Sequence, residues 1–422
     1  MSLALTDYFK KEFNFSITKN KSEVSEFKKK NFETFLKQGF PTKLLEDWKY
    51  STIINNFDQA TNIFTSNKLD KVSNIPFEDF EHNKIIVYNG SFLTSDFYDV
   101  DKDRISLINL QQYLNEQKFG YLKTNYVARN TLVNLNNAFS QDGFYLLVEE
   151  GSVLQYPIII YSIFDKFINK KIGFQKNIIE LEKYSKILIY HKSIFHNNSS
   201  FLNLSTTYKL DRNSHLKNYI LNQNNLDNNI FRYQEFFLSK ECFVESLTFS
   251  NLIRNIRDEV EIHLNDVLAT GNLYNIQSLT DSDDHEIKIK IFHNAENTKS
   301  HQTARCVLDG KSRGIYQGKI FVDSKAQKTD GYQLIKSLLL SDKANFHSKP
   351  ELEIYADDVK CSHGSSSSSL NPDEIFYLMT RGLTKLAAKR MLVKAYIAEV
   401  LEKIQDKYIR NIFLKIAEKI YE

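Results

Sequence analysis

A chain of 422 residues, of which 42% are hydrophobic and 25% charged, has the composition of a globular protein and can bury a large core in two or three domains. Its net charge of +3 does not indicate a nucleic-acid-binding surface, which would need a clustered basic patch. Three cysteines are too few for a disulfide framework, and neither a signal-peptide core nor a membrane-spanning run is found, so we expect a cytoplasmic protein.

The N-terminal part of the chain favours helices. Apolar residues lie at approximately helical spacing between Phe27 and Leu36. A strand at 84–90 and a short amphipathic helix near 107–114 follow. We therefore predict an N-terminal helical or mixed domain over residues 1–120.

The middle of the chain, residues 121–368, is predicted to be a β domain. Short apolar or alternating runs separated by polar turn residues occupy 144–151, 156–164, 186–195, 201–210, 215–223, 244–250, 260–269, 285–292, 318–323 and 351–359. Such a series is compatible with a sandwich, a barrel or a solenoid. Asn/Ser-rich corners recur and two-residue hairpin turns such as Asn-Gly are rare, which favours a solenoid.

The end of the chain, residues 369–422, is predicted to be a second helical domain. Asn371 suits a helix N-cap, with Pro372 at the first helical position. Apolar residues at helical spacing follow at Ile375, Leu378, Met379, Leu386 and Val393. Such stripes most often pack within their own chain, but a terminal helical hairpin can also cap a solenoid and offer a groove to a partner.

Two segments resemble known binding loops but lack an essential element. Asp309–Ser312 reads DGKS, yet a phosphate-binding loop needs a glycine five residues before Gly310, where Arg305 stands. We therefore expect no ATP site in this chain. Residues 280–286 cluster carboxylates around His285 without the spacing of a calcium loop, and we predict a solvated loop there.

A pair of aspartates, Asp357 and Asp358, follows a predicted strand. On a β-helix, paired carboxylates would suit a carbohydrate-active enzyme. Adjacent residues of a strand point to opposite faces, which argues against a shared substrate bond, as does the lack of a secretion signal.

The most informative motif is Cys361 and His363, directly after the alternating run 351–359. In an extended chain, residues i and i+2 point to the same side, so the thiol and the imidazole can be presented together. Both groups suit iron or zinc. Two ligands do not make a metal site, and a buried cysteine beside a hydrogen-bonded histidine is the alternative reading.

The run KPELEIYADDVKCSHG (349–364) resembles the C-terminal signature of the SufB/SufD family of iron–sulfur cluster assembly scaffolds, on its SufD side. The resemblance continues through 308–341 and 371–383, with weaker similarity in 130–143 and 46–51. It implies a mainly β fold with helical ends: a right-handed parallel β-helix core flanked by N-terminal and C-terminal helical domains.

The resemblance also implies a function. A scaffold of this kind is a non-catalytic subunit of the SufBCD complex that pairs with SufB through the β-helix, and as an isolated chain it can form a homodimer. Its C-terminal helices bind the SufC ATPase, here through the apolar positions from Ile375 to Val393.

The resemblance places Cys361 and His363 at the SufB–SufD interface, as ligands of a transient iron–sulfur cluster or iron shared with SufB. Since one cysteine and one histidine cannot complete tetrahedral coordination, the remaining ligands would come from the partner. A SufB-like paralogue, a carbohydrate-active β-helix enzyme and a purely structural β-solenoid adaptor without metal are the alternatives.

Overall fold

The computed structural model describes residues 3–17, 23–54, 57, 62–64, 75–115, 128–140, 142–196, 199–223 and 227–420. The protein is mainly β, with 47% strand, a β-solenoid of about 8 turns and helices at both ends. The predicted parallel β-helix with helical ends is therefore confirmed. None of the described helices combines the length and apolar character needed to cross a bilayer.

In the described ranges the helices are α1 (Leu3–Ile17), α2 (Glu23–Gln38), α3 (Asp99–Lys102), α4 (Leu110–Asn115), α5 (Thr131–Phe139), α6 (Pro372–Thr380), α7 (Lys385–Leu401) and α8 (Lys407–Ile420). The first ten strands are β1 (Asn62–Ile63), β2 (Asn83–Tyr88), β3 (Ser91–Asp96), β4 (Ile105–Asn109), β5 (Gly143–Val148), β6 (Ile158–Phe164), β7 (Lys171–Leu181), β8 (Lys186–Phe195), β9 (Phe201–Leu210) and β10 (His215–Gln223). The remaining strands are β11 (Asn229–Leu238), β12 (Phe243–Asn251), β13 (Asn255–Leu264), β14 (Thr270–Leu279), β15 (Asp284–His293), β16 (Lys299–Leu308), β17 (Arg313–Val322), β18 (Thr329–Leu339), β19 (Asn345–Ile354) and β20 (Val359–Ser369).

The strands form two sheets that the chain visits in turn. Sheet A has the order β19-β17-β15-β13-β11-β9-β7-β5-β4, with β1 also paired to β7, and sheet B has the order β20-β18-β16-β14-β12-β10-β8-β6-β2-β3. From β5 onward each strand pairs in parallel with the strand two places along the chain, so one coil contains one strand of each sheet. Two stacked faces of parallel strands around a shared interior define a β-helix.

The corner from sheet A to sheet B repeats once per coil. Residues in a left-handed backbone conformation recur there at intervals of 27 to 31, at Tyr184, Asn213, Glu241, Leu268, Asn297 and Lys328. The N–H of each turn residue donates to a carbonyl in the turn of the next coil, as Tyr184 does to Arg212. This backbone ladder at the corner sets the size of the coil.

Sequence patterns predicted the apolar strands and missed the polar ones. The runs 186–195, 201–210 and 215–223 have the bounds of β8, β9 and β10. In contrast, the predicted strand 260–269 extends beyond β13, which ends at Leu264 where a turn begins. The first part of the helix predicted near 107–114 is a strand, because β4 extends to Asn109. The strands β7, β11, β14, β16, β18 and β20 were not predicted, because polar side chains interrupt their apolar pattern.

Helices cover the outer faces of the solenoid. Helices α1, α2 and α5 contribute phenylalanines such as Phe9 and Phe139 to a buried cluster on sheet A. Helices α7 and α8 pack Val393, Ile397 and Phe413 on the tyrosines and phenylalanines of sheet B. The C-terminal helices therefore lie along a face of the solenoid, and the strands of its last coil remain as sheet edges.

Candidate functional site

The last coil of the solenoid, formed by β19 and β20, carries the predicted ligands. Among the described strands, β19 pairs only with β17 and β20 only with β18, so each forms the edge of its sheet. Eight of the eleven residues of β20 are exposed. A long, exposed edge strand presents unpaired backbone groups to which another chain can add a strand.

Cys361 and His363 lie two residues apart on β20 and therefore on the same face of the strand. Cys361 is opposite Gly331 of β18, and His363 is opposite the buried Gln333. An added Cβ at Gly331 would lie 3.3 Å from the Cys361 sulfur, so glycine makes room for the thiol. The two candidate ligands thus continue the inward-facing column of sheet B at the open end of the solenoid.

The two side chains differ in environment. Cys361 is half-buried against the apolar cluster that includes Ile320 and Val322, whereas His363 is exposed and makes no hydrogen bond in the described part of the chain. Burial raises the pKa of the Cys361 thiol, while a hydrogen bond with the Gly331 backbone opposes this shift. Binding of iron at Cys361 would therefore release a proton from the thiol.

The serine run 365–369 completes β20. Its residues are exposed, and the Ser337 hydroxyl of β18 donates to the Ser367 Oγ at 2.7 Å. Small side chains leave the edge accessible to a neighbouring backbone.

The apolar positions predicted to contact a partner fall into two groups. Met379 and Leu386 are 42% and 58% exposed, whereas Ile375 and Val393 are buried and Leu378 is half-buried. Val393 packs against sheet B and has no free side-chain surface for a partner. The helical pattern alone did not separate the two groups, because both occupy apolar positions.

Three exposed apolar side chains extend this surface and were missed by the sequence pattern. Phe376, Tyr377 and Met391 are 68%, 56% and 54% exposed. Together with Met379 and Leu386 they are the exposed apolar residues of α6 and α7, and we call this set the α6–α7 patch. Exposed large apolar side chains concentrated on one part of a protein surface are typical of interaction sites.

A groove of about 840 Å³ adjoins the α6–α7 patch, between α6, the start of α7 and the ends of β18 and β20. It is lined by Leu339, Leu340, Ser341, Asp342, Ala344, Ser367, Ser368, Ser369, Leu370, Pro372, Ile375, Phe376, Met379, Lys385 and Lys389. The groove links the patch to the last coil.

The prediction of a solvated loop at 280–286 is wrong for its second half. Asp284 begins β15, and His285 and Glu286 are buried. Glu286 accepts a hydrogen bond from Arg257 at 2.5 Å, and Asp284 pairs with Arg313. These charged residues belong to an ion-pair network on the outer face of sheet A. Its ion pairs join residues of neighbouring coils.

The other cysteines are structural. The Cys242 thiol is buried and donates to the Asp211 carbonyl at 3.0 Å. The Cys306 thiol is buried and donates to Gln277 Oε1 at 3.2 Å. Burial raises the pKa of Cys306 to about 12, so this thiol stays protonated at neutral pH.

Family comparisons agree with this architecture. The model described as "SufBD protein N-terminal region" matches residues 2–160, and the one described as "SUF system FeS cluster assembly, SufBD core domain" matches residues 166–396.

Individual relatives show the same similarity. The iron–sulfur cluster assembly protein SufD of Escherichia coli (strain K12) is 22% identical over 400 residues, 92% of each chain. An iron–sulfur cluster assembly SufBD family protein of Synechocystis is 43% identical over 105 residues, 25% of this chain and 23% of that protein. SufD of Plasmodium falciparum is 23% identical over 238 residues, 56% of this chain and 16% of the relative. Because the core-domain model alone covers more than half of its length, the chain belongs to the SufBD family of the SUF iron–sulfur cluster assembly system.

Proposed function

We propose that this chain is a non-catalytic scaffold subunit for iron–sulfur cluster assembly, with a nascent cluster or its iron as the substrate bound at the last coil. The observation that carries the proposal is the pair Cys361 and His363 on one face of an edge strand whose second side pairs with no described strand. Family membership supports the assembly role over a carbohydrate-active enzyme.

The incomplete ligand set indicates a shared site. One thiolate and one imidazole leave two positions of a tetrahedral site open. A SufB-type subunit pairing along β19 and β20 would bring its own side chains to these positions, and in its absence a second copy of this chain could occupy the same edges. The edge therefore supports both the heterodimer and a homodimer of the isolated chain.

We assign the SufC-type ATPase to the α6–α7 patch, which is exposed while the opposite face of α7 packs on sheet B. In this arrangement ATP is bound by the partner. A movement of the partner would reach the last coil through α6 and the ends of β18 and β20, which line the adjoining groove. The three free cysteines suit a reducing compartment, and we place the complex in the cytoplasm.

Complementation of a strain that lacks this subunit tests the cluster site. We expect His363→Ala to leave the complex assembled and to lower the activity of a cluster-dependent enzyme at least about tenfold, because a ligand is removed without opening a cavity. Cys361→Ser should impair maturation too if the thiol binds the cluster, since a hydroxyl is a poor iron ligand.

His196→Ala is the matched control, because His196 is also exposed but follows β8, far along the solenoid from the last coil. Pull-down of the partner subunits confirms assembly for every variant. Full enzyme activity with an assembled His363→Ala complex would refute the ligand role.

A further inference from the structure

A second group of metal-ligating side chains lies on the outer face of sheet A, away from the last coil. Glu235 of β11 is directly opposite Glu261 of β13, and His263 follows two residues later on the same face. One ligand atom from each of the three residues lies within 4.8 Å of the others. Only the stacking of coils brings these residues together, since 26 residues separate the two glutamates.

The imidazole of His263 is held in a fixed orientation. Its ring is stacked between Phe237 and Phe292, with centroid separations of 4.8 Å on both sides and interplanar angles of 6° and 3°. This sandwich directs Nε2 toward Glu235, whose Oε1 is 3.6 Å away. Nε2 is buried and has no hydrogen-bond partner among the described residues. A ring positioned by its neighbours, with a free nitrogen facing two carboxylates, is suited to metal coordination.

Both carboxylates are buried, at 5% exposure for Glu235 and 7% for Glu261. Two like charges directly opposite on neighbouring strands destabilise a sheet unless a cation lies between them. Burial raises the pKa of Glu261, Lys290 opposes this shift, and Glu235 adds to it.

Two cations near Glu261 have closer partners, while the buried Lys176 interacts electrostatically with Glu235. Arg257 bridges Glu259 and Glu286, at 2.6 and 2.5 Å. Lys290 is in register with Glu261, but its Nζ donates to Asp47 at 3.2 Å. The neighbouring carboxylates of the same face thus have close cationic partners, whereas no side chain of the described residues forms an ion pair with Glu261.

We propose that Glu235, Glu261 and His263 bind one divalent transition-metal ion. An imidazole nitrogen with two carboxylate oxygens is a donor set for Fe(II), Mn(II) or Zn(II), and three protein ligands leave further positions for water or another ligand. The His263 side chain is 20% exposed, so an ion can reach the site from solvent. This site is separate from the proposed cluster site and does not depend on it.

Metal titration of the purified, metal-free full-length chain tests this site. Fe(II) under anaerobic conditions, Mn(II) and Zn(II) are each titrated calorimetrically, and Co(II) provides visible absorption bands that report coordination by nitrogen and oxygen. We expect one ion per chain. Glu261→Gln, which keeps the shape of the side chain, and His263→Phe, which keeps the aromatic stack, should each weaken binding at least about tenfold.

Two controls locate the ion. Glu351→Gln removes a half-buried carboxylate from the same outer face of sheet A at β19 and should leave the affinity unchanged. The double variant Cys361→Ser/His363→Ala should also bind one ion normally. Circular dichroism and the Tm verify folding of each variant. The proposal is overturned if the wild-type chain binds no ion, if Glu261→Gln and His263→Phe bind as tightly as wild type, or if only the double variant loses binding.

Discussion

Arg257 is a single residue on which the outer face of sheet A depends. It is buried, its guanidinium bridges Glu259 and Glu286, and it stacks on Trp48 with its central carbon 3.8 Å from the ring centroid. Burial opposes its charge, but the two carboxylates raise its pKa above the usual value. Arg257 therefore ties two coils to the N-terminal segment.

Loss of the Arg257 ion pairs should destabilise the protein. Arg257→Met leaves the buried Glu286 carboxylate without its cation and Glu259 with only Lys288, at 3.6 Å, and we expect the free energy of unfolding to fall by about 3–5 kcal/mol. Urea unfolding followed by circular dichroism measures the free energy of unfolding of each variant. The triple variant Arg257→Met/Glu259→Gln/Glu286→Gln removes the uncompensated charges and should recover much of the loss. Equal stability of Arg257→Met and the wild type would contradict this account.

Buried histidines give the fold a predictable pH dependence. Burial lowers the pKa of His191 and His293 to about 3 and that of His285 to about 4. In the unfolded chain each titrates near about 6.5, so below this pH the unfolded chain binds more protons than the folded one. The free energy of unfolding should therefore fall as the pH drops from about 6.5 toward 4, by up to about 1.4 kcal/mol per pH unit for each histidine.

His293→Gln should reduce this slope by about one proton, because glutamine does not titrate and can still hydrogen-bond the Thr298 and Ser300 hydroxyls. Urea unfolding between pH 4.5 and 7.5 measures the slope. Cys306→Ser is the control, since its thiol has a pKa of about 12 and does not titrate in this range. An unchanged slope for His293→Gln would show that His293 also charges in the folded state.

At the scale of elements, α6 and α7 combine a structural and an exposed face. The inward face of α7 packs Val393 and Ile397 against sheet B, and Glu399 accepts a hydrogen bond from the buried Arg305 at 2.6 Å. Removal of the helices would uncover the aromatic residues of that sheet, so partner binding is better tested by exposed substitutions.

Phe376→Ser/Leu386→Ser should weaken binding of a SufC-type ATPase at least about tenfold, because exposed aromatic and aliphatic anchors contribute most of the energy of such contacts. Surface plasmon resonance with the purified ATPase measures the affinity. Phe167→Ser is the matched control, since Phe167 is 47% exposed but distant in sequence and fold from α6. If the double variant binds the ATPase as tightly as the wild type, the α6–α7 patch is not the binding site of the ATPase.

At the scale of the whole molecule, sheet B ends in two edge strands that differ in pairing direction. One is β20 in the last coil, and the other is β3, which pairs antiparallel with β2. Only the β20 edge carries the candidate ligands. Partner pairing should therefore depend on β20 and not on β3.

A charge at the β20 edge tests this assignment. Ser365→Lys adds a cation to the face of β20 that carries Cys361 and His363, and such charges block strand addition. We expect it to abolish co-purification of a SufB-type subunit while the chain stays folded by circular dichroism. Thr94→Lys introduces the same charge at an exposed position of β3 and should not affect pairing. Retained pairing by Ser365→Lys would place the interface elsewhere.

Local sequence patterns determined much of this architecture. Alternating apolar runs predicted β8, β9 and β10, and the N-cap Asn371, whose side chain accepts from the Asp373 N–H, predicted the start of α6. The i,i+2 spacing of Cys361 and His363 indicated a shared face if the chain is extended there, and in β20 it is. These features depend on neighbours within a few residues, which the sequence displays directly.

Only the tertiary structure decided the rest. The polar strands, the ion pair of Arg257 with Glu286 and the cluster of Glu235 with Glu261 depend on contacts between coils, which join residues 26 to 31 positions apart. Helical spacing likewise did not distinguish buried Val393 from exposed Leu386, because an apolar residue fits both a core and an interface. A period-2 pattern shows which residues share a face, but the stacking of coils determines which side chains meet, because that register is set by the corner turns.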